Sequence, residues 1–237
     1  MLELNNVTRT FTSRTAVGDF TFHFEPGRTY ALLGPNGSGK TTLMKMISGL
    51  IRPTSGSIRF DGLEIGPETK ARIAYMPTEN YFFSYMTIAD AGRYYQDFFP
   101  DFSRNAYDEM LARMSLSPKD KIRQLSSGMS AKVRLALTLS RDADLMMFDE
   151  PLNGVDILTR AQVVSEIVRR RNAGRTMIIS THLVDDLEQH LDSALFMQNG
   201  SLVLAGTCDE LRQKGTLTEL YLQLYGAGST EGGAAHA

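Results

Sequence analysis

Cysteine is almost missing from this 237-residue chain: Cys208 stands alone and cannot close an internal disulfide, which excludes a disulfide-stapled scaffold. With no His or Arg beside it, Cys208 reads as a small buried or half-buried hydrophobe rather than a reactive thiol. An excess of either charge is missing as well. The 25 Lys and Arg against 27 Asp and Glu leave a net charge of −2, so no overall field draws the chain to nucleic acid or an anionic membrane, and no nucleic-acid partner is expected. No apolar run approaches the roughly 18 residues of a membrane span. The first residues, MLELNNVTRTF, lack the basic start and apolar stretch of a secretory signal. These absences place the chain in the cytosol; work at a membrane would require another chain to do the spanning. Eight Pro, 20 Gly and 42% hydrophobic residues exclude collagen-like and wholly disordered classes, and leave one large or two small globular domains.

The opening third reads mostly as strand, at Leu2–Phe11, Phe20–Glu25, Thr29–Leu33 and Ser57–Phe60, with Glu25-Pro26-Gly27 and Asp61-Gly62 as turns. From Thr87 the spacing turns helical, predicting helices near 87–99, 103–114 and 129–140. Next come an apolar strand Leu145–Phe148, a helix near 157–172, a strand Thr176–Ser180, a short helix after His182, and β-runs at 194–198 and 201–205. Alternating strand and helix predict a parallel α/β sheet. The last twelve residues, GAGSTEGGAAHA, read as a flexible tail. Nine of the 21 aromatic residues crowd into 81–102 (Tyr81, Phe82, Phe83, Tyr85, Tyr94, Tyr95, Phe98, Phe99 and Phe102), either as the core of the helical region or as an apolar docking surface.

Two motifs carry chemistry. Gly34-Pro35-Asn36-Gly37-Ser38-Gly39-Lys40-Thr41 has the spacing G-x-x-x-x-G-K-[ST] between a predicted strand and the helical stretch beginning at Thr42. Glycines let successive N–H groups turn onto a phosphate, a helix N-terminus adds its positive end, Lys40 reaches the β and γ phosphates, and the Thr41 hydroxyl is placed to ligate Mg²⁺. The second motif is Leu145-Met-Met-Phe-Asp149-Glu150-Pro151, an apolar strand that delivers two carboxylates to its C-terminal end. Asp149 can hold Mg²⁺ beside the phosphates, and Glu150 can orient or deprotonate the attacking water.

A third motif narrows the class. Leu125-Ser126-Ser127-Gly128-Met129 resembles the signature of the ATP-binding cassette (ABC) family, usually LSGGQ, and the order of pieces resembles that family over about residues 2–215. The resemblance implies a P-loop α/β fold of ABC type. Its parts would be a RecA-like parallel-sheet core, an N-terminal antiparallel β part and an inserted helical subdomain near 80–140, within a domain of residues 1–225 ahead of the tail at 226–237. It implies that ATP and Mg²⁺ are bound between two such subunits head to tail, with Ser126 and Gly128 of one facing the γ-phosphate held by the other. Phe11 stands where the family stacks an aromatic on adenine, with a core aromatic as the alternative. Asp156, in Leu152-Asn153-Gly154-Val155-Asp156, is expected at the dimer interface, and His182 matches the histidine that touches the γ-phosphate. Backbone at 34–41, with Thr42, would hold phosphate; Glu150 would be the general base. Partners implied are a second nucleotide-binding subunit, identical or paralogous, and membrane-spanning transporter subunits, with the chain peripheral on the cytoplasmic face.

Departures accompany these matches. Thr78 stands where the family carries a Gln that touches Mg²⁺, and it is shorter by about two bonds. Ser127 and Met129 replace a Gly and a Gln of the signature. The chain reads as a transporter ATPase, with a lean toward export because it stops soon after the cassette. A soluble ABC ATPase acting on ribosome or DNA is the alternative, and a small-molecule P-loop kinase is disfavoured because it needs neither LSSG nor Glu150. Residues 78–102 follow the position where such subunits meet their membrane partner, so some of Tyr81, Phe82, Phe83 and Tyr85 are expected to be exposed.

Overall fold

The computed structural model describes residues 1–171 and 175–226; beyond Gly226, the predicted tail lies outside the described residues. In chain order the elements are β1 (Leu2–Phe11), β2 (Arg14–Phe24), β3 (Thr29–Leu33), α1 (Lys40–Ile47), β4 (Ser55–Phe60), β5 (Leu63–Glu64), α2 (Pro67–Ala71) and β6 (Ile73–Met76). There follow α3 (Ile88–Phe98), α4 (Arg104–Arg113), α5 (Ser127–Leu139), β7 (Leu145–Asp149), α6 (Ile157–Arg171), β8 (Thr176–Thr181), β9 (Ser193–Gln198), β10 (Ser201–Thr207), α7 (Cys208–Arg212) and α8 (Leu217–Tyr225).

The strands form two sheets. β2-β1-β4-β5 is antiparallel throughout, and β10-β9-β3-β8-β7-β6 is parallel except at β10. Every residue of β3, β7 and β8 is buried, as expected for parallel strands covered on both faces. Their side chains alternate between two cores. Tyr30, Leu32, Leu145 and Met147 face the antiparallel sheet and the Leu43, Met44 and Ile47 side of α1. Ala31, Leu33, Met146 and Phe148 face the helical layer, where they meet Tyr107, Leu111, Val133 and Leu135. Arg141, 3% exposed, stitches the helical layer to the sheet: its Nε donates to both Asp101 oxygens at 2.8 and 2.9 Å and its Nη2 to the Ala71 carbonyl at 2.6 Å.

Several elements differ from the sequence reading. β2 begins at Arg14, since pairing with β1 holds residues that a run of β-formers alone does not reveal. The short helix expected after His182 is a single 3₁₀ turn at Glu188–His190. β6, four residues at the edge of the sheet, is too short to show a period, yet it pairs with β7 throughout. The helices α7 and α8 start at Thr207 and Thr216, whose hydroxyls accept from Glu210 N and Glu219 N; these are capping boxes with a visible T-x-x-E spacing. Cys208 is buried, and burial pushes its thiol up to about 11, in keeping with an inert hydrophobe.

Of the aromatic cluster, Tyr95 and Phe102 are buried, Phe82 and Phe99 pack half-buried against the core, and Tyr81, Phe83, Tyr85, Tyr94 and Phe98 are exposed. The cluster thus divides between a core and a surface. The Tyr81 ring is partly open to solvent while its hydroxyl points inward onto that of Tyr95.

Candidate active site

Four neighbouring parallel strands end at one edge of the large sheet. β3 runs into residues 34–39 and α1, β8 ends at Thr181 before His182, β7 ends at Asp149 before Glu150, and β6 leads to Pro77 and Thr78. The carboxyl edge of a parallel sheet is where such folds hold ligands.

The loop before α1 is shaped by close approaches. A Cβ on Gly34 (φ +152°) would stand 2.4 Å from the Met197 carbonyl oxygen, and one on Gly39 (φ +106°) 2.5 Å from that of Ala16, so both positions require glycine. Asn36 and Gly37 form the exposed tip, Pro35 is half-buried, and Thr41 and Thr42 are half-buried on the first turn of α1. The Ser38 hydroxyl is buried and has no hydrogen-bond partner among the described residues. Lys40 is 5% exposed; its Nζ donates to Gly34 O at 2.7 Å and Pro35 O at 3.2 Å, and lies 3.5 Å from Glu150 Oε1. Burial lowers the Lys40 pKa, against the opposing pull of Glu150 and Asp149.

Asp149 is wholly buried among hydroxyls. Its Oδ1 accepts from Ser180 Oγ at 2.6 Å and Thr41 Oγ1 at 3.1 Å, and its Oδ2 accepts from the Tyr75 hydroxyl at 3.1 Å. Burial above all, then the Asp149 charge, holds the Tyr75 phenol well above its ordinary value, so it stays protonated and donates. Glu150 has φ +49°, a left-handed conformation that costs a non-glycine residue about 1–2 kcal/mol. Its N–H donates to the Ser180 carbonyl and hydroxyl, at 3.1 and 3.0 Å, which hold the turn in place. The strain aims the carboxylate between two groups: Oε2 lies 2.9 Å from His182 Nδ1, while Oε1, ion-paired with Lys40 at 3.5 Å, is buried with no hydrogen-bond partner among the described residues.

Thr78 does not reach this centre through its side chain. Its hydroxyl donates to the Asp149 main-chain carbonyl at 3.0 Å, so it secures a strand end at the position where the resemblance implies a contact with Mg²⁺. Arg134 of α5, 8% exposed, holds the same segment from the other side by donating to the carbonyls of Pro77, at 2.7 Å, and Thr78. Its pKa is lowered by burial.

Ser126 caps α5, accepting from Met129 N at 3.2 Å, and the neighbouring Ser127 hydroxyl donates to the Gly154 carbonyl at 2.7 Å. Asp156 sits beside Gly128, its Oδ2 3.6 Å from where a Gly128 Cβ would stand. It caps α6 by accepting from Thr159 N and Thr159 Oγ1 at 3.0 and 2.7 Å; these bonds, the backbone one first, hold its carboxyl below the usual value. Among the described residues no hydrogen bond or ion pair joins Ser126, Gly128 or Asp156 to residues 34–41. Phe11 ends β1 with 43% of its surface exposed and the Arg9 guanidinium 4.4 Å from its ring centre, so it is not a core aromatic.

Sequence reasoning missed Tyr75, Ser180 and Arg134. Arg134 left one signal, a cation in the otherwise apolar run VRLALTL, and Ser180 another, a hydroxyl closing the apolar β8. The donor set fits a magnesium nucleotide. Among the described residues the buried Ser38 hydroxyl has no hydrogen-bond partner and Glu150 Oε1 has only the Lys40 ion pair, the loop that carries Lys40 runs into a helix N-terminus, and the Thr41 hydroxyl and Asp149 carboxylate are hard oxygen donors of the kind Mg²⁺ takes.

Fold and site together define a P-loop nucleotide hydrolase with an α/β core, an antiparallel sheet and an inserted helical layer. A family model described as "ABC transporter" matches residues 17–153, more than half of the chain. The chain is 31% identical over 220 residues to the ABC transporter ATP-binding protein YtrB of Bacillus subtilis, covering 90% of this chain and 74% of that protein. It is 29% identical over 206 residues to the lantibiotic transport ATP-binding protein SrtF of Streptococcus pyogenes, covering 86% and 90% respectively. A solved structure titled as the ATP-binding subunit of an ABC transporter superposes with a TM-score of 0.84 at 28% identity, over 94% of this chain and 99% of that one. The chain belongs to the ABC transporter family and is an ATP-binding, ATP-hydrolysing cassette of it.

Proposed function

We propose that two of these chains, or one and a paralogue, close head to tail on Mg-ATP and drive separate membrane-spanning subunits that export a solute. The observation that carries the reading is the placement of Glu150, with one oxygen on His182 at 2.9 Å and the other 3.5 Å from Lys40 and, among the described residues, without a hydrogen bond, beside the phosphate loop. In this reading the backbone of residues 34–41, with Thr42, holds the phosphates and Lys40 compensates their charge in ground and transition states. Thr41 and Asp149 hold Mg²⁺, which when bound neutralises charge on the phosphate oxygens. Glu150 Oε1 takes a proton from the attacking water, and His182, fixed through Nδ1, keeps its other ring nitrogen for the γ-phosphate.

Ser126 and Gly128 have no bond to their own chain's phosphate loop and serve the partner subunit's nucleotide, with Asp156 at that interface. Phe11 presents an exposed ring for adenine. The exposed Phe83 and Tyr85, whose rings stack 5.5 Å apart, meet the membrane subunit. Among the described residues no helix is long and apolar enough to cross a membrane, which supports a role at the cytoplasmic face through partner subunits.

The test is co-expression with a multi-span membrane protein encoded by a neighbouring gene. A stoichiometric complex should form, and inverted vesicles carrying it should accumulate solute when Mg-ATP is added outside. No complex, or ATP-driven uptake only in the opposite sense, would overturn the partner or the direction.

A further inference from the structure

The two oxygens of the buried Asp149 carboxylate are held by different elements. Oδ1 accepts from Thr41 on α1 and Ser180 on β8, whereas Oδ2 accepts, among the described residues, from Tyr75 alone at 3.1 Å. Tyr75 is the third residue of β6 and pairs in register with Met147 of β7, two residues before Asp149. From there its phenol spans the distance that the shorter side chain of Thr78 does not, since the Thr78 hydroxyl is engaged by the Asp149 main chain. Tyr75, Thr41, Thr78 and Asp149 together line one end of a cleft of about 710 Å³. A carboxylate turns about a broad, roughly two-fold terminal torsion, so hydrogen bonds to one oxygen alone leave its plane loosely set, and a donor on each oxygen fixes it.

We propose that Tyr75 is a positioning residue for the metal, fixing the plane of the Asp149 carboxylate so that this group and Thr41 present their oxygens to Mg²⁺ together. This rests on the reading of Thr41 and Asp149 as the Mg²⁺ donors. Groups that orient a metal ligand commonly change metal affinity by about 10–100-fold when removed, and Tyr75→Phe removes one hydroxyl while keeping the ring that packs against the core.

The experiment measures binding of Mn²⁺, as a spectroscopic probe, to the ADP complex of the parent, Tyr75→Phe and Asp149→Asn. Metal-free ADP affinity and thermal unfolding are followed in parallel. Tyr75→Phe should weaken Mn²⁺ binding about 10–100-fold while leaving metal-free ADP affinity at the parental value, and the unfolding midpoint should fall by about 2–8 °C for the donor lost to a buried carboxylate oxygen. In turnover, the Mg²⁺ concentration for half-saturation should rise by the same factor, with kcat restored at saturating metal. Parental Mn²⁺ affinity in Tyr75→Phe beside a loss in Asp149→Asn overturns the role of Tyr75 and keeps the metal reading; parental affinity in Asp149→Asn overturns the metal reading itself. A fall in metal-free ADP affinity matching the metal effect overturns the positioning role in favour of a general packing one. Should Tyr75→Phe fail to fold, Tyr75→Leu carries the same comparison.

Discussion

At the residue scale the site is a set of charges and hydroxyls that depend on one another. Lys40 is buried, and its ammonium rests on two carbonyls of its own loop and on Glu150; under the proposed function, nucleotide binding exchanges these partners for phosphate oxygens. Charge-assisted hydrogen bonds contribute about 1.5–3 kcal/mol each, and Lys40→Ala should therefore weaken ATP about 10–100-fold in a direct titration. Unchanged affinity would place the nucleotide elsewhere. Ser180 acts on two neighbours at once, donating to Asp149 Oδ1 and accepting from Glu150 N, which is how a strained φ of +49° is held in the folded chain.

At the scale of elements, the segment after β6 is clamped between β7 and α5. The Thr78 hydroxyl binds the Asp149 carbonyl, and Arg134 binds the Pro77 and Thr78 carbonyls, so the helix α5 is tied to the strand that ends at Asp149. Arg134→Leu removes a donor from two part-buried carbonyls and should destabilise the fold by about 2–3 kcal/mol, lowering the unfolding midpoint by about 5–10 °C. A midpoint within 1–2 °C of the parent would show that the clamp carries little. Much of the layout was legible in the sequence: β3, β7 and β8 were apolar runs at strand length, α3 to α6 showed helical spacing, and the phosphate loop, Asp149, Glu150 and His182 were marked by motif order. What escaped had physical reasons. β6 has four residues and takes its identity from pairing with β7. Tyr75 and Arg134 act through hydrogen bonds to residues 74 and 57 positions away or nearly so in sequence, contacts that only the folded chain creates. The caps of α7 and α8 were visible as T-x-x-E and went unread.

At the scale of the whole molecule, two surfaces stand unsatisfied in one chain. The first is the aromatic face of the helical layer, where Phe83 and Tyr85 are 58% and 70% exposed. Changing both to Ser should alter stability by less than about 1 kcal/mol, as exposed substitutions usually do, and leave basal ATP hydrolysis unchanged. Binding to the membrane subunit should fall by at least about 30-fold, the cost of losing an aromatic anchor at the centre of an interface. Parental assembly of the double variant would move the docking site elsewhere. The second surface is the signature end of α5 with Asp156, which among the described residues has no hydrogen bond or ion pair to the phosphate loop of its own chain. The proposed function gives it a second subunit as partner, and the measurement that tests this most directly is the mass of Glu150→Gln in solution with and without Mg-ATP, by light scattering. Loss of the base should lower turnover by about 10²–10⁴-fold while ATP still binds, so the variant should be monomeric alone and dimeric with Mg-ATP. A monomer at saturating Mg-ATP that hydrolyses ATP at the parental rate would contradict both the role of Glu150 and the shared site.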